Sequence, residues 1–185
     1  MALRASLLFW YGQLLMLARR RARALAVFRT VAREDPRHRE AWSYIAFLLA
    51  QREDYAAALE AFERALAIDP ADAASHFNLA FILQRTGRHE AAVPRFERAL
   101  ELDPRLDRGW YGLGLSLASL GRLDEAAAKL QEAARLQPGN PFAGYQLAAV
   151  WHRLGRHENV KSEYERVKGF DSAVAERIRV EFGVR

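Results

Sequence analysis

Residues 73–106 read AASHFNLAFILQRTGRHEAAVPRFERALELDPRL, and the fold of the whole chain turns on how that stretch is parsed. Apolar side chains return at helical spacing through Leu79, Ile82 and Leu83, and again through Val93, Phe96 and Leu100, with Gly87 between the two runs. The spacing predicts a helix, a tight turn and a second helix. Gly87 suits the turn because a residue without Cβ accepts positive φ at a helix C-terminus at little cost. Pro104 closes the second helix, since it has no backbone N–H and disfavours helical backbone at Asp103 before it.

Moving the frame by 34 residues in either direction finds the same pattern. One small-residue column runs Gly12, Ala46, Ala80, Gly114 and Ala148, and a second runs Ala24, Ala58, Ala92 and Ala126 before ending on Val160. A bulky column runs Phe28, Phe62, Phe96, Leu130 and Tyr164. The stops fall at Pro36, Pro70, Pro104 and Pro138, and Ser172 breaks their series. Two helices of a pair can approach closely where small residues face each other, and the bulky residue fills the space beyond. One such pair cannot bury its own apolar face, so successive pairs must stack.

In its period, its helix-turn-helix unit and its version of the pattern W-x-x-L-G-x-x-Y, A-x-x-x-F, P, the chain resembles the tetratricopeptide repeat family. Trp42 and Trp110 stand at the Trp position, while Leu8, His76 and Gly144 depart from it. The resemblance covers about residues 5–174. It implies an all-α fold, a right-handed superhelical α-solenoid of helix-turn-helix repeats. The repeat frames are about 5–38, 39–72, 73–106, 107–140 and 141–174, in a single domain over 1–185. A capping helix is expected over about 172–183, with Asp171 or Ser172 as its N-cap and Val174, Ile178 and Phe182 in one stripe.

Composition agrees with a folded, soluble chain: 51% of its 185 residues are hydrophobic. It contains no cysteine, which excludes disulfides and thiolate metal sites. The histidines are His38, His76, His89, His152 and His157, and none forms an H-E-x-x-H pair. Glu60, Glu63, Glu97 and Glu101 recur beside Arg64 and Arg98 as solvated faces with local ion pairs. Phosphate-binding, dinucleotide and nucleophile-elbow glycine motifs are missing. The expectation is therefore a protein that is not an enzyme, with no catalytic residue, metal or cofactor.

Charge is unevenly placed: residues 1–39 hold nine arginines against Glu34 and Asp35, a balance of +7 in a chain whose total is +5. The densest part is Arg19, Arg20, Arg21 and Arg23. Nucleic acid is a poor fit, because the basic residues do not extend along a face. Residues 3–17, LRASLLFWYGQLLML, are apolar almost all round but fall short of the roughly 20 residues a membrane span needs. A secretory signal would carry its positive charge before the apolar run, whereas here most of it follows. The repeat register assigns the run to the first helix of repeat one, yet Leu3, Leu7, Phe9, Trp10, Leu14 and Leu17 cannot all face one neighbour. A second interface is expected at Leu7, Trp10, Leu14, Arg19, Arg20 and Arg21, facing another chain or a membrane surface.

In the family, the first helices of successive repeats line a concave groove that holds an extended peptide or a helix of another protein. By position, the resemblance implies a partner-binding groove of Phe47, Phe77, Asn78, Phe81, Arg108, Tyr111 and Tyr145, with Phe9, Gln13, Ser43 and Tyr44 beside them. The subtype that clamps the C-terminal carboxylate of heat-shock chaperones is not matched: Asn78 and Arg108 fit, but Ser43, Phe47 and Gly112 do not. The function expected is a cytoplasmic, non-enzymatic adaptor or assembly factor. The alternative is a peripheral-membrane or self-associating scaffold that works through its first repeat.

Overall fold

A computed structural model describes residues 2–184. Among the described residues the chain forms eleven α-helices and no strand: α1 (Ala2–Leu17), α2 (Arg21–Glu34), α3 (Arg39–Gln51), α4 (Tyr55–Ile68), α5 (Ala73–Arg85), α6 (His89–Leu102), α7 (Asp107–Ser119), α8 (Leu123–Leu136), α9 (Pro141–Arg153), α10 (His157–Lys168) and α11 (Ser172–Phe182). From α3 onward each odd-numbered helix up to α9 begins 34 residues after the last. The helix starts follow from local chemistry. Side chains of His38, Asp54, Asn140 and Asp171 accept hydrogen bonds from N–H groups of the first turns of α3, α4, α9 and α11. Pro141 opens α9, where a missing N–H costs nothing. α6 continues through Pro94, which is exposed.

The turns inside the later pairs use left-handed glycines, Gly87 at φ 74°, Gly121 at φ 77° and Gly155 at φ 70°. The first two pairs place Arg19 (φ 55°) and Glu53 (φ 61°) there instead. Left-handed backbone costs a residue with a Cβ roughly 1–2 kcal/mol.

The chain divides into two compact units, Met1–Ile82 and Leu83–Arg185. In the first, α2 packs on both α1 and α3, and α3 on α4. Its core is built on Ala24, Phe28, Ala58 and Phe62, all essentially without solvent contact. Gly12 lets α1 approach α2, because a Cβ there would stand 2.6 Å from the Phe28 ring. In the second unit α6 through α11 pack each on the next, and α11 also reaches α9. Ala92, Phe96, Ala126 and Leu130 are its buried columns. A Cβ on Gly112 would lie 2.5 Å from Phe96, and one on Gly114 2.7 Å from Leu130.

The Trp position shows why its departures are tolerated. Trp42 Nε1 donates to the Pro36 carbonyl at 3.0 Å, and Trp110 Nε1 to the Pro104 carbonyl at 2.9 Å. His76 Nε2 sits 3.1 Å from the Pro70 carbonyl and makes the equivalent bond. At Gly144 there is no side chain, and Arg166 of α10 supplies the donor, with Nη1 2.9 Å from the Pro138 carbonyl. The glycine makes the room, since a Cβ there would meet Val167 at 2.6 Å and Arg166 at 2.7 Å. A carbonyl left unpaired there would carry a desolvation cost.

On α11 Ile178 of the expected stripe is buried together with Ala175, and Val174 and Phe182 of the same stripe are half-buried, Phe182 against rings of α9. Among the described residues no helix is long and apolar enough to cross a membrane. Nor does any group of three or more His, Asp or Glu among them lie close enough to hold a metal ion.

Candidate partner-binding surfaces

α3 and α5 each bury one face, through Ala41, Ile45 and Leu49 on α3 and Leu79, Ala80 and Ile82 on α5. On the opposite face most side chains are half-buried, and one phenylalanine of each helix stands out from it. Phe47 and Phe81, one period apart, remain 40% and 44% exposed, which is high for rings of that size. Phe77 is stacked on Phe81, with ring centroids 6.3 Å apart and planes inclined by 21°. Asn78, half-buried, follows Phe77 on α5.

A polar network fixes this surface from beside. Arg39 Nη1 lies 2.6 Å from Asp72 Oδ2, Ser75 Oγ donates to the same oxygen at 2.7 Å, and the Ser43 and Ser75 hydroxyls are 3.2 Å apart. Burial alone would raise the Asp72 carboxyl, but the Ser75 hydroxyl and the Arg39 guanidinium outweigh it and hold the group below its ordinary value. The sequence reading did not connect these residues. Their separations, 33 residues for Arg39 and Asp72 and 32 for Ser43 and Ser75, are nearly one period and were the available signal.

Phe9, Gln13 and Tyr44 serve packing instead of display. The Tyr44 ring stacks on Phe28 at 4.7 Å with planes 10° apart, Phe9 meets its edge at 5.8 Å, and Gln13 Nε2 donates to its hydroxyl at 3.4 Å. They form the joint between the first two helical pairs.

In the second unit Arg108 is exposed on the first turn of α7. Tyr111, half-buried, packs with Trp110 against Ala133, Ala134 and Ala143. Burial pushes its phenol up, offset in part by a hydrogen bond with Gln146. Tyr145 is engaged by α11: its hydroxyl donates to Glu181, the Arg177 guanidinium lies 4.6 Å from its ring centroid, and Phe182 is 5.6 Å away. The bond to Glu181, together with burial, raises the Tyr145 phenol. Phe142, 64% exposed on α9, escaped the sequence reading although it stands one period after Arg108.

Leu7, Trp10 and Leu14 are exposed along α1, and Arg19, Arg20 and Arg21 are exposed at the turn that follows.

Two models described as tetratricopeptide repeat match the sequence, over residues 38–105 and 77–141. No curated protein matches the chain. Solved structures match it over nearly its whole length. MamA 41-end from Desulfovibrio magneticus RS-1 is 21% identical, with a TM-score of 0.84 over 91% of this chain and 96% of that one. Another MamA crystal structure is 18% identical at a TM-score of 0.85, covering 100% of this chain and 98% of its own. YrrB, described as a TPR protein with an unusual peptide-binding site, is 21% identical at a TM-score of 0.84, covering 94% and 90%. At these identities the likeness is one of fold.

Proposed function

Because this chain belongs to the tetratricopeptide repeat family, we propose that it is a non-enzymatic adaptor whose odd-numbered helices bind a peptide or a helix of another protein. The observation that carries the reading is the pair of exposed rings Phe47 and Phe81, one period apart on successive first helices, with Phe77 stacked behind. Aromatic side chains held rigid at a surface give large contact area at little entropic cost, and such anchors dominate binding energy. Asn78 offers an amide beside them for a partner's backbone. In the second unit Arg108 and Tyr111 offer a smaller surface of the same kind. Tyr145 is committed to α11 and enters as wall more than contact. The peptide-binding site named for YrrB supports a peptide as the ligand class.

The test is affinity capture from native lysate with the wild-type chain and a Phe47→Glu/Phe81→Glu variant. Both positions are exposed, so circular dichroism should be unchanged. Each substitution is expected to weaken a true partner by about 2 kcal/mol. A protein held by the wild type and released by the variant supports the reading; partners held equally by both refute it. Arg108→Glu tests the second unit separately.

A further inference from the structure

One face of α1 is apolar and uncovered. Leu3, Leu7, Trp10, Leu14 and Leu17 follow at alternating steps of four and three, each exposed, from 61% at Leu14 to 82% at Leu17, and Tyr11 beside them is 50% exposed. On a helix turning about 100° per residue the five form one stripe. Ala5, Gly12 and Leu15 lie on the opposite side, buried against the rest of the unit. A helix apolar all round is normally covered on every side. Here only one side is.

Charge names the cover. Residues 1–33 contain no acidic side chain. Arg19, Arg20, Arg21 and Arg23, all exposed at the end of the stripe, meet no carboxylate among the described residues, whereas Arg39, Arg64, Arg98, Arg122 and Arg135 each do. Arg19 also keeps its place at φ 55°, where Gly87, Gly121 and Gly155 serve the later turns without strain. A second copy packed on this stripe would bring the same arginines and no negative charge to meet them. A bilayer of anionic lipid supplies both an apolar layer and phosphate.

We propose that α1 lies flat on an anionic lipid surface, with Leu3, Leu7, Trp10, Leu14 and Leu17 at the boundary of headgroups and acyl chains and Arg19, Arg20, Arg21 and Arg23 on lipid phosphates. Trp10 and Tyr11 suit that boundary, where amphipathic rings gather. The inference stands on α1 alone and is independent of the aromatic surfaces of the other helices.

The experiment is co-sedimentation of the full chain with vesicles of phosphatidylcholine alone or mixed with phosphatidylglycerol, at low and high salt. The wild type is expected to pellet with the phosphatidylglycerol vesicles, to be released by salt, and to show a blue shift of tryptophan emission that Trp10→Phe abolishes. Arg19→Gln/Arg20→Gln/Arg21→Gln is expected to weaken partitioning by about fivefold per arginine. Leu7→Glu/Leu14→Glu, both exposed and so leaving the fold intact by circular dichroism, is expected to abolish it. Failure to pellet with phosphatidylglycerol vesicles overturns the proposal. So does pelleting unaffected by Leu7→Glu/Leu14→Glu, or a wild-type dimer in solution that this variant converts to monomer.

Discussion

Gly112 on α7 and Phe96 on α6 meet so closely that a Cβ at 112 would stand 2.5 Å from the Phe96 ring. Phe96 is fully buried and has no space to turn aside. Gly112→Ala is therefore expected to cost about 1–3 kcal/mol in a urea titration, although alanine is the better helix former. Arg166 shows the opposite dependence, on a side chain that must be present. It pairs with Glu163, which is 8% exposed, and donates to the Pro138 carbonyl. Arg166→Met should cost about 2 kcal/mol by the same titration, because it strands a buried carboxylate and a carbonyl together. Arg19→Gly should do the reverse. Relief of its left-handed backbone is expected to raise stability by about 1 kcal/mol, while vesicle binding falls. Such an exchange is what a functional residue at a strained position would show.

Between α3 and the start of α5, stability is tied to pH through Asp72. Its folded-state pKa lies below the ordinary value, so its contribution is present above the unfolded pKa of about 4 and is lost as pH falls through the folded one. Acid unfolding should therefore begin at higher pH in Arg39→Gln than in the wild type, as followed by circular dichroism. α11 is held by Ala175 and Ile178, and Ile178→Ala is expected to cost about 2–4 kcal/mol in thermal or urea unfolding. The existence of α11 and its cap at Asp171 are legible in the sequence, because a cap and a helical period are local signals. That its C-terminal turn would engage Tyr145 is not, since the direction of a terminal helix is decided by what it packs on. Tyr44 was misread for a related reason: the column spacing identifies its helix face, but the stacking partner, Phe28, comes from another helical pair.

Over the whole molecule, repeats two to four keep their small-residue columns and proline stops, with His76 at one Trp position and Leu130 at one Phe position, and the family matches cover this stretch, 38–141. The last helical pair diverges where α11, and not another repeat, packs on it. The resemblance, carried over by position, points to Phe47, Phe77 and Phe81, of which Phe47 and Phe81 are exposed and Phe77 is half-buried. The Arg39–Asp72–Ser75 network is not connected in that way, because its partners stand 33 and 3 residues apart, so that even the near-period pair falls in no shared column. In a stacked array stability is close to a sum of local terms and nearest-neighbour terms. Hydrogen exchange read by mass spectrometry should thus show Ile178→Ala loosening α9, α10 and α11 while α3 and α4 exchange as before. The donor that Arg166 lends to Pro138 has a practical consequence for engineering. In this last pair the role of the motif's tryptophan has migrated from the first helix to the second. A cassette exchange that imports a tryptophan-bearing first helix but keeps α10 would put two groups into one space, and the reverse graft would leave that space empty. Repeat modules of this chain can be shuffled only as intact helical pairs.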